Sequence, residues 1–416
     1  MFRLFITIAL CLQMLVASAV ATTWTNTSRD GLASNPANWS RGVPGVGDDV
    51  LFSGSSGDCE IDIALNVNSI NLLSDYTGNV FATVPTISVT GSLQISGGTL
   101  DLRNVDLTFS GSSLVVGSRG NGLANGHWSI TSTGNVSASF LQPLTIQSLH
   151  LNLSDGSAFV LSDSIYADNV QLEDGLLDGG VIRTGAFTHN TTFDGGLNGG
   201  TVLVSNSFTS SQLVGGHFPQ LIINQGSVTG PLFGATTVID GDLLLRDGFF
   251  LFGDGDLEME NYEQTGGQHF STGSSGFSMI VNEDFILSGG TYASSTDTTV
   301  LAGDAFTITA GASFVNINYC HFVNEGDVDF TVDIPTAISR MGIELSDGSR
   351  LINHDTISVQ SIDLVDGFLD GGVITTSEFT HESTFDGGLN DATIQLDNSF
   401  TSNQLVGGRF PQLIIE

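Results

Sequence analysis

Five aspartates each immediately precede a glycine that closes a short apolar run: Asp155, Asp174, Asp247, Asp347 and Asp366. If the chain winds so that Asp155 and Asp174 fall on neighbouring coils, their carboxylates repel unless a cation lies between them. Calcium is the natural candidate outside a cell, because carboxylate and carbonyl oxygens suit it. The plainer reading of Asp-Gly is a turn dipeptide. The Gly-Gly-x-Gly-x-Asp nonapeptide of calcium-binding β-rolls does not recur in tandem, so no metal ligand is assigned. His189 and His381 follow Phe-Thr at corresponding places. No second His or Cys recurs with either, as a metal site would require, so a structural role is expected for both.

Catalysis fares no better. Hydrolases of the polygalacturonase type carry Asn-Thr-Asp, Asp-Asp, Gly-His-Gly and Arg-Ile-Lys motifs. That set is absent; Asp48-Asp49 lies near the start, and Gly126-His127-Trp128 breaks the histidine motif. Lyases need a basic residue to abstract a proton beside a carboxylate, usually with calcium. The arginines here are scattered, and Arg183 and Arg350 become Thr375 and Ala158 in the other copy of the repeat described below. No Gly-x-Ser-x-Gly elbow leads into a helix, and the glycine-rich stretches open strands, so neither acyl transfer nor phosphate cradling is indicated. No enzyme activity, catalytic residue or cofactor is expected.

The chain has 44 Asp+Glu against 10 Lys+Arg, every one an arginine, for a formal charge of -34. Such a chain repels phosphate backbones, which excludes nucleic acid as a partner. With 40% apolar and only 13% charged residues it nevertheless has enough hydrophobic surface to fold. Residues 1–21 read as a secretory signal: Arg3, an apolar stretch from Leu4 to Val16, then small residues. No later stretch reaches the roughly 20 apolar residues of a membrane helix. Cys11 leaves with the signal, and Cys59 and Cys320 are too far apart along a rod to pair, so two buried thiols are expected. The sequons at Asn26, Asn38, Asn135, Asn152 and Asn190 arise by chance in a Ser/Thr/Asn-rich chain.

What would position these residues is a repeat. The segment from Ser154 matches the segment from Ser346 without gaps at an offset of 192 residues, and FTHNTTFDGG from Phe187 answers FTHESTFDGG from Phe379. The duplicated spans are about 90–224 and 282–416. Inside them marker glycines such as Gly78, Gly98, Gly248, Gly267, Gly290 and Gly408 recur roughly every 20 residues. Ahead of them comes alternation, as in Phe285-Ile286-Leu287 or Phe306-Thr307-Ile308. After them comes an apolar residue such as Phe250, Phe270, Tyr292 or Phe314. Period two is a half-buried strand, and glycine permits the positive φ of a tight corner. Stacked coils would pair each strand in parallel with its copies and bury ladders; Phe187 and Phe208, like Phe379 and Phe400, are expected to form one step. Helices are excluded by the missing 3.6-residue pattern and 52 glycines. The expected fold is an all-β, right-handed parallel β-helix over 61–416.

Residues 22–60, outside the glycine period, are expected to cap the rod. Their pattern is Trp24, Asn38-Trp39, Gly42-Val43-Pro44, Gly47-Asp48-Asp49-Val50 and Phe52. It resembles the head of secreted bacterial β-helix proteins of the autotransporter-associated β-strand type. It is also similar to the eight-glycine extracellular domain that opens some animal β-helix proteins. The repeat region resembles the pectate-lyase-like superfamily in period alone. The resemblance implies architecture and surface location, not a substrate. The abrupt stop at Glu416, just after the copy of Pro219–Ile223, leads us to expect further repeats and an attachment module beyond it. The function expected is an extracellular structural or adhesive rod, secreted or at the cell surface, meeting a glycan or matrix ligand. A carbohydrate-binding or polysaccharide-degrading β-helix is the alternative.

Overall fold

Strands of period two turn every second side chain inward, and glycines let the chain bend sharply between them. The structure is a computed structural model that describes residues 21–117, 123–124, 126–231, 234–271, 276–295, 297–336, 338–397 and 405–415, the side chains of 123–124 and 206–210 excepted. Residues 1–20 of the expected signal, Phe400 and the Phe208 side chain lie outside it. Among the described residues the chain is a parallel β-solenoid, with one 3₁₀ turn at Pro36–Asn38. No helix there is long and apolar enough to cross a membrane. Contacts divide the chain into two units, Met1–Gly126 and His127–Glu416.

In the first unit, Ala21–Thr23 pairs with Asp49–Phe52, which pairs with the end of Leu65–Leu72. A second column stacks Cys59–Ile61, Asn79–Ala82 and Thr99–Asp101. Trp24 and Trp39 are both buried and meet edge-on at 4.9 Å, and both lie against Phe52. The Trp39 indole N–H donates to the Ala33 carbonyl at 2.8 Å. Asn38, one of the sequon asparagines, is fully buried and donates to Asp30 and the Leu32 carbonyl. Those amide bonds hold the Asp30 carboxyl well below the usual carboxylate range, Asn35 contributing most.

In the second unit one column runs unbroken through Ile146, Ala167, Thr184, Val204, Ile223, Leu245, Gln264, Leu287, Ile308 and Val332. Nine strand spacings make it about 43 Å long. The rings of Phe285, Phe306 and Phe330 stack along it at 4.8 and 5.1 Å. Burying each such ring contributes about 1.5–3 kcal/mol. A second column carries Phe250, His269, Tyr292 and Phe314. Here the expectation for Phe270 is corrected. The inward position lies two residues after Gly248, Gly267 and Gly290, which selects His269; Phe270, one residue later, turns outward beside Leu251.

The corners need glycine where coils touch. Gly267 has φ +65, and a Cβ there would sit 2.8 Å from the Gly248 carbonyl oxygen of the coil before it.

The duplication is visible as shape: the 15-residue strands Ser164–Asp178 and Thr356–Asp370 correspond, as do Asn198 and Asn390, both left-handed. It is not a whole number of turns. Phe330 continues the column of Ile165 and Phe306, yet its copy Ala138 pairs with Leu161 on the adjoining face. The 192-residue unit therefore spans nine coils and one further face, by the column just traced. Equivalent residues of the two copies face different directions.

Candidate functional site

The Asp-Gly turns are built as turns. Gly156, Gly175, Gly248, Gly348 and Gly367 all have positive φ. Asp174, Asp247 and Asp366 each accept the N–H of the glycine that follows, at 2.7 to 2.8 Å. Asp155 and Asp174, the pair singled out by spacing, belong to no group of three acidic side chains among the described residues; coil stacking forms such a group in the second copy. Asp347 and Asp366 come together, and Asp386 joins them, so that one oxygen from each lies within 4.8 Å of the others. Asp386 also accepts the Gly348 N–H at 3.2 Å, and its counterpart Asp194 accepts the Gly156 N–H at 3.0 Å.

Asp386 was not singled out in the sequence. It lies one coil beyond Asp366 in FDGG, and only the winding brings it back to Asp347. Three carboxylate oxygens at one corner are hard donors of the kind that suits calcium, which takes six to eight.

The two equivalent histidines occupy equivalent places. Nε2 of His189 lies 2.8 Å from the His217 carbonyl oxygen, and Nε2 of His381 lies 2.8 Å from that of Arg409. The His189 ring packs edge-on against Phe193 and Phe218, and His381 against Phe385 and Phe410. Burial lowers the His189 pKa to about 4, so the ring is neutral at physiological pH. These are structural histidines set among phenylalanines. Phe187 meets Phe218 at 4.9 Å and Phe379 meets Phe410 at 5.0 Å.

Cys59 and Cys320 are free and fully buried, and burial raises both thiols well above their ordinary pKa. Of the two arginines lost between copies, Arg183 lies over the Tyr166 ring at 5.2 Å, and Arg350 bridges Asp327 and Asp370 at 2.5 and 3.1 Å. An exposed histidine absent from the sequence argument, His217, pairs through Nδ1 with Asp240 at 2.7 Å; Arg409 stands in its place in the second copy.

Three surface clefts among the described residues are further places where a ligand could sit. Two adjoin in the second unit and share Thr336 and Ser358. One, of about 400 Å³, is lined by Asn316, Ser339, Gln360 and Ser377, and the other, of about 470 Å³, by Asp333 and Asp355. The third, about 420 Å³, lies in the first unit and is lined by Phe81, Asn79, Thr99, Asp101 and Arg103. Comparison with protein-family models, curated proteins and solved structures finds no match to this chain.

Proposed function

We propose that the chain is an extracellular structural or adhesive repeat protein, displaying an extended acidic β-helical surface. The observation that carries this reading is the column of ten strands from Ile146 to Val332, in which each coil pairs only with its neighbours. Such a fold gains reach with each added coil and offers many repeated outward positions for weak, multivalent contact. The formal charge of -34 keeps such a surface solvated and separate from other acidic surfaces. The export reading rests on residues 1–21 and on the resemblance of the Trp24 to Phe52 pattern to secreted autotransporter-associated β-helices. In this reading the winding is right-handed, as parallel crossovers are, and the Trp24, Trp39 and Phe52 cluster closes the first coil.

Two experiments test it. Export in a secreting host should yield a mature chain beginning near Thr22, by N-terminal sequencing. Beads coated with the purified protein should attach to cell or matrix surfaces, and attachment no better than uncoated beads overturns the adhesive reading. The alternative, a carbohydrate-binding or polysaccharide-degrading protein, draws support from the Phe81 cleft. Release of reducing sugar from a polysaccharide panel would favour its degrading form.

A further inference from the structure

The outward face of the first unit holds an aromatic ring where the fold asks for none. Phe81 follows inward Val80 and points out, 36% exposed, and its partners in the adjoining coils are Glu60 and Asp101. An outward position between two carboxylates gains nothing from an apolar side chain by packing alone. The ring forms one wall of the 420 Å³ cleft, a volume within the range of small-ligand pockets.

Polar groups held in fixed positions line the rest. Arg103 grips Asp101 through Nε at 2.8 Å and Nη2 at 2.5 Å, while its side chain stays 67% exposed. That grip holds the Asp101 carboxyl below its ordinary pKa, so it stays an anionic acceptor. The Asn79 N–H donates to Asp58 at 2.7 Å, and the Thr99 hydroxyl donates to the Asn79 side-chain oxygen. The Asp101 oxygens also accept the Arg103 backbone N–H at 3.0 Å, while the guanidinium, with five N–H donors, spends only its Nε and one Nη2 proton on Asp101 and keeps the rest for the cleft. Their charges offset each other. The cleft therefore offers a flat apolar ring beside paired donors and acceptors with no net charge, in a chain that repels anions.

We propose that this cleft binds one ring of a neutral saccharide, its C–H face against Phe81 and its hydroxyls on Asp101, Arg103 and Asn79. A sugar ring is the ligand with one apolar face and a rim of vicinal hydroxyls, each both donor and acceptor. Uronic and sialic acids are disfavoured by the surrounding carboxylates. The clefts of the second unit carry aliphatic side chains such as Ile338 and Ile334 but no aromatic ring to stack a sugar face. The assignment rests on the surface reading above only for where the ligand is met.

The test uses the full chain on an array of neutral, amino and acidic glycans, followed by calorimetric titration with methyl glycosides and oligosaccharides of glucose, galactose and mannose. We expect saturable binding of a neutral sugar, weakened about tenfold or more in Phe81→Ala and in Arg103→Gln, about 1.4 kcal/mol or more. Both side chains are exposed, so both variants should melt with the native protein, and Asp386→Asn should bind as the native protein does. Absence of neutral-sugar binding, binding of acidic glycans alone, or native affinity in Phe81→Ala overturns the proposal. Bead attachment, which reads the adhesive function, is scored separately and can succeed or fail whatever the sugar titration gives.

Discussion

His269 Nδ1 lies 3.0 Å from the Tyr262 hydroxyl inside the coil stack, in a position its column otherwise gives to Phe250, Tyr292 and Phe314. The neighbouring bonds fix which proton is where. Gln264 Nε2 donates to the Gly267 and Thr291 carbonyls, so its oxygen accepts from Tyr262 at 2.8 Å. Having spent its one proton, Tyr262 accepts from His269 Nδ1–H. Nε2 is then an unprotonated, fully buried nitrogen without a protein partner.

Burial lowers the His269 pKa from 6.5 to about 3. Between those values the unfolded chain binds the proton and the folded chain does not, so stability falls as pH drops below about 6.5, by about 1.4 kcal/mol per unit at most, and this loss ends near pH 3. His269→Phe, which matches the aromatic neighbours of its column, should flatten this slope. Thermal melts from pH 7 to pH 3.5 check it; parallel slopes in native protein and variant would assign the acid sensitivity to other groups.

Calcium should raise the melting temperature if the corner of Asp347, Asp366 and Asp386 takes up the ion, and a chelator should reverse the rise. Asp386→Asn should remove the response while leaving the metal-free melting temperature the same or slightly higher, since one like charge is gone. Identical melts with calcium and with chelator leave the three aspartates as turn residues only.

Cys59 and Cys320 should ignore thiol reagents in the folded protein, because neither sulfur reaches solvent and burial disfavours the thiolate. Thiol labelling with an aromatic disulfide, read by peptide mapping, should leave Cys59 and Cys320 unmodified under native conditions and modify both in guanidinium. Rapid labelling of one thiol without denaturant would show that its coil opens.

Gly267→Ala should destabilise the protein by about 2 kcal/mol or more. It forces an L side chain to φ +65 and drives its methyl group to 2.8 Å from the Gly248 carbonyl oxygen. Gly134→Ala, where φ is not positive and no atom lies within 4 Å of the added carbon, is the matched control and should melt within a degree or two of the native protein.

The architecture was legible because period-two alternation and a recurring glycine are local signals, each readable in a few residues. The equivalence of His189 and His381 was legible for the same reason, as an ungapped match. What escaped depends on the phase of winding. Whether His269 or Phe270 points inward turns on a single residue of register, and an aromatic looks the better core residue until the count from Gly267 is made. Asp386 is an Asp-Gly dipeptide like the others, but it joins Asp347 across 39 residues, a separation that only the coil lengths turn into a contact. Phe81 reads in the sequence as one more ladder phenylalanine, and only the pairing with Glu60 and Asp101 places it outside.

The extra face in the duplicated unit has a geometric result. Had the unit closed on a whole number of coils, any feature copied with it would have reappeared on the same side, in line, as rungs along one edge. Because it overshoots, the turn where Asp194 accepts the Gly156 N–H and the corner of Asp347, Asp366 and Asp386 look out at different compass bearings around the axis. Each further copy of the unit would turn its features on by one face again, like treads of a spiral stair.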